Sequence, residues 1–142
     1  MEDKKATEYI FVYGTLLSDY GKLDSHKYLE TYAELMGKAT MKGKLYMVDY
    51  YPGVTPCGSD ENYVVKGELY KLTNPDELFN FLDTYEEFYP MDPDHSEYVR
   101  RTSEVTLTKT GETFLAWVYY FNQDTTELEW LPKGDFLREY HK

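Results

Sequence analysis

The sequence has little cysteine, few basic residues and no long apolar run. Cys57 is the single cysteine, which excludes an intrachain disulfide framework and a cysteine-rich zinc cluster. The chain has 15 Lys and Arg against 26 Asp and Glu, and its net charge of -11 argues against nucleic acid and membrane surfaces as partners. No stretch reaches the roughly 18 apolar residues of a membrane span, and the charged N-terminus lacks the apolar segment of a signal peptide. We therefore expect a cytoplasmic protein.

Several strong enzyme signatures are also missing from the sequence. It contains no G-x-S-x-G elbow, no phosphate-binding P-loop and no G-x-G-x-x-G dinucleotide motif. The three histidines, His26, His95 and His141, are scattered without the i, i+4 partner of a helical zinc site. Serine acyl-transfer, nucleotide hydrolysis and zinc chemistry are therefore disfavoured.

The composition is that of a folded protein with one core. Hydrophobic residues make up 42% of the 142 residues and aromatic residues 18%, including 16 Tyr. This is too rich in core-forming side chains for an acidic disordered tail, and the length suits one domain. We expect residues 1–142 to form a single domain.

Runs of β-branched and aromatic residues predict about six strands and two helices. Tyr9–Tyr13 is a buried strand stopped by Gly14, and Gly67 marks a bulge or a close backbone approach within a later strand. Further strands are expected at 33–36, 42–48, 63–72, 97–107 and 113–121, a loop at 51–56, a brief helix from Asp24, and a docked turn or short helix in the tail 130–142. Because the strands come in runs, the pattern favours an α+β fold: a small mixed, mostly antiparallel, barrel-like sheet flanked by a few helices.

The clearest helix begins after Asn74. Asn74 is a good N-cap, Pro75 suits the first helical position, and Asp76 and Glu77 place negative charge at the positive end of the helix dipole. Leu78, Phe79 and Leu82 then share one face.

Glu86 is the candidate catalytic residue of this helix. It lies seven residues after Phe79, which is about 20° away in helical projection, so on a continuing helix it points with the apolar face. Burial there would raise the pKa of its carboxyl group and suit it to proton transfer near neutral pH. The alternative is that the helix ends at Tyr85 and leaves Glu86 in a solvated turn. Eight acids and no cation between Asp76 and Glu97 fit either a raised pKa or an ordinary solvated acidic face.

The turn after the first strand is a candidate anion site. Glycine at position 14 lets a ligand approach the main chain, and successive amides in such a turn can bind a carboxylate. An ordinary strand-glycine turn is the alternative.

The segments Phe11–Leu16 (F-V-Y-G-T-L) and Phe81–Glu86 (F-L-D-T-Y-E) together resemble the gamma-glutamylcyclotransferase-like family, with its Y-G-[ST]-L turn and L-D-x-x-E helix. The order of the intermediate motifs agrees with that family from about Tyr9 to Phe121. These motifs are G-K-L-Y at 43–46, Y-P-G-V at 51–54, V-K-G-E-L-Y at 65–70, Y-V-R at 98–100 and A-W-V-Y at 116–119.

The resemblance implies a chemistry and a set of residue roles. Family members convert small-molecule gamma-glutamyl amines or peptides to 5-oxoproline and release the amine, without metal or organic cofactor. Backbone amides around Tyr13, Gly14, Thr15 and Leu16 would bind the substrate alpha-carboxylate, and Glu86 would carry the proton.

Three further residues stand in the matched segments or beside them. Tyr98 is a candidate cavity wall or hydrogen-bond donor, with plain packing in the core as the alternative, and Arg100 is expected to be a structural cation that pairs with an acid. Glu87 stands where many members carry glycine, so the family's loop geometry and leaving-group preference are not carried over to this chain. The alternatives are a non-catalytic binding module for a glutamyl-like ligand and an acidic interaction protein, and the oligomeric state stays open.

Overall fold

A computed structural model of the chain describes residues 8–13, 29–48, 52–57, 61–85 and 96–135, and within these ranges eight strands form one mixed sheet with a helix against it. The strands are β1 (Tyr9–Val12), β2 (Ala33–Lys42), β3 (Lys44–Met47), β4 (Pro52–Thr55), β5 (Val64–Leu72), β6 (Tyr98–Leu107), β7 (Thr113–Phe121) and β8 (Glu129–Leu131). Helix α1 spans Pro75–Tyr85, and residues 29–32 are also helical.

Five of the strands close into a barrel. The sheet order is β1-β5-β2-β6-β7-β4-β3-β8. An additional pairing of β1 with β7 closes the first five strands of this order into the barrel. The β1–β7 and β4–β7 pairings are parallel, whereas the others are antiparallel. This barrel, extended beyond β7 by β4, β3 and β8, confirms the predicted fold class.

Alternating side chains give the barrel strands two apolar faces. One set fills the barrel interior, and the other faces helix α1 on the outside. The interior set includes Phe11, Leu69, Val105 and Val118. The outer set includes Ile10, Val12, Tyr70 and Tyr119, which pack with Leu78 and Leu82 of the helix.

Helix α1 begins as the sequence predicts. The main-chain N–H of Glu77 donates to Asn74 Oδ1 at 3.5 Å, which is the side-chain cap of a helix N-terminus. Leu78 and Leu82 are fully buried, so the predicted apolar face is the docking face of the helix. None of the described helices combines the length and the apolar character of a membrane-spanning helix.

Glycine marks two features of the strands. The strand predicted at 33–36 does not end before Gly37, so that boundary is wrong: β2 continues through the glycine, with a register shift between Leu35 and Gly37 and a φ of 148° at Gly37. At Gly67 the close approach is the correct alternative: a Cβ there would overlap the carbonyl oxygen of Val12, while the pairing with β2 runs on without a bulge.

Two short strands were not predicted. Residues 51–56 were expected to form a loop, but Pro52–Thr55 is strand β4, because it pairs with β3 on one side and β7 on the other. Residues 129–131 form β8 on the edge of β3, where a turn or short helix was expected from Trp130. The rest of the tail, from residue 136, and the region from Asp24 to residue 28 lie outside the described residues.

Candidate active site

Two of the six predicted site residues, Tyr13 and Tyr98, belong to the described part of the chain. Tyr13 directly follows β1, and Tyr98 begins β6. Gly14, Thr15, Leu16 and Glu86 lie outside the described residues. The structure therefore describes the strand that leads into the candidate turn and the helix that leads to Glu86.

The side chain of Tyr13 is part of the barrel interior. Its hydroxyl donates to the main-chain carbonyl of Tyr119 at 2.7 Å, and the main-chain N–H of Val54 donates to the hydroxyl oxygen at 3.3 Å. Only 7% of Tyr13 is exposed, and it packs with the interior set of core residues. The ring thus attaches the end of β1 to β7 and β4, immediately before the candidate turn.

The last described turn of α1 is attached to the barrel through Asp83. Arg100 donates to both carboxylate oxygens, from Nε to Oδ1 and from Nη2 to Oδ2, each at 3.1 Å. The Tyr119 hydroxyl donates to Oδ1 at 2.6 Å. The expectation that Arg100 pairs with an acid is confirmed, and that acid is Asp83.

Arg100 is also held by aromatic rings. Its guanidinium carbon lies 4.1 Å from the ring centroid of Phe79 and 4.9 Å from that of Trp117. These distances suit stacking of the planar guanidinium on aromatic faces. The same cation therefore contacts helix α1 at two successive turns, through Phe79 and through Asp83.

Tyr119 links the two candidate segments. Its carbonyl accepts the hydrogen bond from Tyr13, the residue before Gly14, and its hydroxyl donates to Asp83, three residues before Glu86. Neither Asp83 nor Tyr119 is among the site residues predicted from the sequence. The signal was present, since Asp83 is the aspartate of the helix motif and Tyr119 ends the A-W-V-Y segment.

Tyr98 is buried at the start of β6 and holds a neighbouring strand. Its hydroxyl donates to the main-chain carbonyl of Pro52 at 2.7 Å, and its ring packs edge-on against Phe121 with centroids 5.6 Å apart. Only 3% of the residue is exposed. Its hydroxyl proton is therefore engaged within the protein, and Pro52 of the Y-P-G-V segment is fixed beside it.

A buried carboxylate lies on the same outer face of the barrel. Glu68 of β5 stands opposite Val12 of β1 and is only 3% exposed. Its Oε1 accepts a hydrogen bond from the Tyr70 hydroxyl at 3.2 Å. Burial, and after it the charge of Glu68, raise the pKa of Tyr70 well above its ordinary value, so this phenol stays protonated and keeps donating.

No cluster of three or more His, Cys, Asp and Glu side chains suited to a metal ion occurs among the residues that the structure describes.

Within the same ranges, the polar contacts at Tyr13, Asp83 and Tyr98 join secondary-structure elements to one another. These contacts, named here the polar frame, join β1 to β7 and β4, α1 to β6 and β7, and β6 to β4.

Comparison with known proteins gives a consistent match. The family model for gamma-glutamyl cyclotransferase, AIG2-like, matches residues 10–138. A gamma-L-glutamyl-butirosin B gamma-glutamyl cyclotransferase from Niallia circulans is 31% identical over 116 residues, which cover 81% of this chain and 67% of that protein.

Solved structures show a similar fold. An AIG2-like protein from Mus musculus superimposes with a TM-score of 0.65 at 21% identity, over 84% of this chain and 80% of that one. YkqA from Bacillus subtilis gives a TM-score of 0.66 at 19% identity over 95% of this chain, which spans only 43% of YkqA. At such identities these two structures bear on the fold alone.

Proposed function

This chain belongs to the AIG2-like gamma-glutamyl cyclotransferase family, and we propose that it converts a gamma-glutamyl amine or gamma-glutamyl peptide to 5-oxoproline and the free amine. The family supports cyclotransferase activity in general. We propose in addition the substrate class, the product and the residue roles. The proposed reaction uses no metal and no organic cofactor.

The reaction is an intramolecular aminolysis. Glu86 takes a proton from the substrate alpha-ammonium, and the free amine attacks the gamma-carbonyl carbon to form a five-membered ring. The bond between that carbon and the leaving nitrogen then breaks as Glu86 returns the proton to that nitrogen. Glu86 next takes the second proton of the ring nitrogen and passes it to the released amine, which leaves as its ammonium ion, so that 5-oxoproline is formed and the carboxylate is regenerated. Because the nucleophile belongs to the substrate, the enzyme needs no serine or cysteine. Its main contribution is to hold the glutamyl chain folded back on itself.

Substrate recognition is assigned to the main chain after β1. Backbone amides around Tyr13, Gly14, Thr15 and Leu16 bind the alpha-carboxylate. With a net charge of -11, the long-range field of the protein opposes an anionic group, so recognition has to come from local N–H dipoles.

One structural observation carries the proposal of a shared site. The Tyr119 carbonyl accepts a hydrogen bond from Tyr13, and the Tyr119 hydroxyl donates one to Asp83. Tyr13 leads into the turn proposed to bind the alpha-carboxylate, and Asp83 lies three residues before Glu86. Two segments that are 70 residues apart in the sequence are thereby attached to one residue of β7. This arrangement supports a carboxylate-binding turn and a proton carrier that act on the same substrate.

Tyr98 is proposed as a wall of the same site. Because its hydroxyl proton is donated to Pro52, we assign substrate contact to its ring and not to hydrogen-bond donation. An aromatic wall would exclude water and restrict the conformations of the glutamyl chain.

The direct test is a search for 5-oxoproline. The purified protein is incubated with a panel of gamma-glutamyl amines and peptides, and 5-oxoproline and the released amine are measured by mass spectrometry. Glu86→Gln keeps the shape of the side chain, so substrate binding should remain. It removes the carboxylate that accepts the proton, so turnover should be abolished. The matched control is Glu87→Gln, which removes the adjacent carboxylate and should retain turnover.

Three results would contradict the proposal. No product from any compound, with the protein folded, would refute the cyclotransferase activity. Retained turnover in Glu86→Gln would move the proton transfer to another residue. Thermal stabilisation by gamma-glutamyl ligands without product would instead support a non-catalytic binding module.

A further inference from the structure

The last described turn of helix α1 carries a carboxylate that the proposed proton transfer does not use. We infer that Asp83, held by Arg100 and Tyr119, is a positioning residue that fixes the end of α1 for the reaction assigned to Glu86. This inference rests on the proposed function and extends it to a defined side-chain network.

The contacts of Asp83 define its orientation closely. Two parallel hydrogen bonds from Arg100 at 3.1 Å match the fork of the guanidinium to the plane of the carboxylate. The Tyr119 hydroxyl adds a third at 2.6 Å. The Asp83 and Arg100 side chains are only 19% and 20% exposed, so water screens the pair less than it screens a surface ion pair.

Arg100 is itself fixed, and it contacts the helix twice. Its guanidinium stacks on Phe79, which lies four residues before Asp83 and therefore on the same helix face, and also on Trp117 of β7. Sliding or rotation of α1 over the β6–β7 pair would separate the guanidinium from the ring, from the carboxylate or from both. The network therefore determines how the helix end is oriented.

The attachment of the helix to the barrel has a separate source. Leu78 and Leu82 are fully buried against the outer face and supply the apolar contact that docks α1. Loss of one Asp83 contact should therefore leave the helix docked but less exactly oriented. For a proton carrier three residues after Asp83, a misplacement of about 1 Å is enough to reduce turnover about 100-fold.

The test measures kcat and KM for Asp83→Asn, Arg100→Lys and Tyr119→Phe, together with urea unfolding. We expect Asp83→Asn and Arg100→Lys to lower kcat by about tenfold or more while KM changes much less, because the substrate carboxylate is bound elsewhere. Arg100→Lys keeps the charge but loses the fork and the stacking surface. The control is Asp76→Asn, in the exposed first turn of the same helix, which should keep the wild-type kcat.

A double-mutant cycle separates positioning from independent effects. If Asp83 acts through Arg100, the double variant Asp83→Asn with Arg100→Lys should have nearly the kcat of the worse single variant. Independent losses that multiply would overturn the inference, as would an unchanged kcat in folded Asp83→Asn. If Asp83→Asn does not fold, Tyr119→Phe gives the answer, since it keeps the Arg100 pair: a wild-type kcat there would overturn the inference.

The two proposals fail in different ways. A wild-type protein without 5-oxoproline production refutes the proposed function, and the positioning role falls with it. An active wild type that is inactivated by Glu86→Gln but unaffected by Asp83→Asn refutes the positioning role alone.

Discussion

Tyr13 donates its hydroxyl to the main-chain carbonyl of Tyr119 across 106 residues of sequence, at 2.7 Å. The hydroxyl oxygen of Tyr13 also accepts a hydrogen bond from the main-chain N–H of Val54, so this one phenol joins β1, β7 and β4. The side chain of Tyr13 thus has a structural role, whereas the proposed substrate contact at this position uses the main chain.

Tyr13→Phe separates these two roles. Removing the hydroxyl takes partners from two buried main-chain groups, so we expect a loss of about 1–3 kcal/mol in the free energy of unfolding. KM should stay near the wild-type value at temperatures where the variant is folded, because the backbone amides remain. Urea unfolding and steady-state kinetics are the measurements, with Tyr46→Phe, a half-buried tyrosine of β3, as the control. A raised KM without loss of stability would show that the hydroxyl contacts substrate.

Tyr98→Phe tests whether the ring or the hydroxyl of this residue matters. The variant keeps the ring beside Phe121 but leaves the Pro52 carbonyl without its donor, so stability should fall by about 1–3 kcal/mol with little change in KM. Tyr98→Leu removes the aromatic wall as well and should raise KM. A KM in Tyr98→Phe equal to that of Tyr98→Leu would contradict the assignment of substrate contact to the ring.

The parts of the fold that local chemistry determines could be predicted from the sequence. Asn74 and Pro75 mark the start of α1 through the cap and the fixed φ of proline, and neither depends on distant residues. Strand β4 could not be predicted, because Pro52 and Gly53 are loop formers locally, and pairing to β3 and β7 overrides that preference.

The polar frame of the site shows the same limit. Its residues stand in motifs that are visible in the sequence, but the pairing of Asp83 with Arg100 depends on the register that sets Arg100 opposite Tyr119. A tertiary register cannot be derived from spacing along the chain.

Gly67→Ala should be more destabilising than Gly111→Ala. A Cβ at Gly67 would overlap the Val12 carbonyl oxygen and lie 2.7 Å from Phe11 Cζ, so β1 would have to move, at a cost of about 3 kcal/mol or more. Gly111 has open space around it and a φ of 77°, so alanine there costs only the left-handed backbone conformation, about 1–2 kcal/mol. Urea unfolding of both variants gives the ranking, and equal losses would show that β1 does not approach β5 as closely as described.

The raised pKa of Tyr70 predicts a loss of stability at high pH. Burial, and after it the charge of Glu68, raise the pKa of this phenol in the folded protein above the value of about 10 expected in the unfolded chain. The folded state therefore binds the proton more tightly, and its contribution to stability is complete below about pH 10. As the pH rises further, the unfolded chain loses the proton first, and this contribution is lost up to the folded pKa.

Tyr70→Phe should remove this part of the pH dependence. At neutral pH the variant should be less stable than the wild type, because the buried Glu68 carboxylate loses the hydroxyl that donates to it at 3.2 Å. Above pH 10 its free energy of unfolding should fall less steeply, since no buried phenol remains at position 70 to release a proton when the chain unfolds. Urea unfolding between pH 7 and about 11 measures both effects, and Tyr46→Phe should keep the wild-type slope. Parallel slopes for Tyr70→Phe and the wild type would show that the phenol ionises alike in the folded and unfolded states.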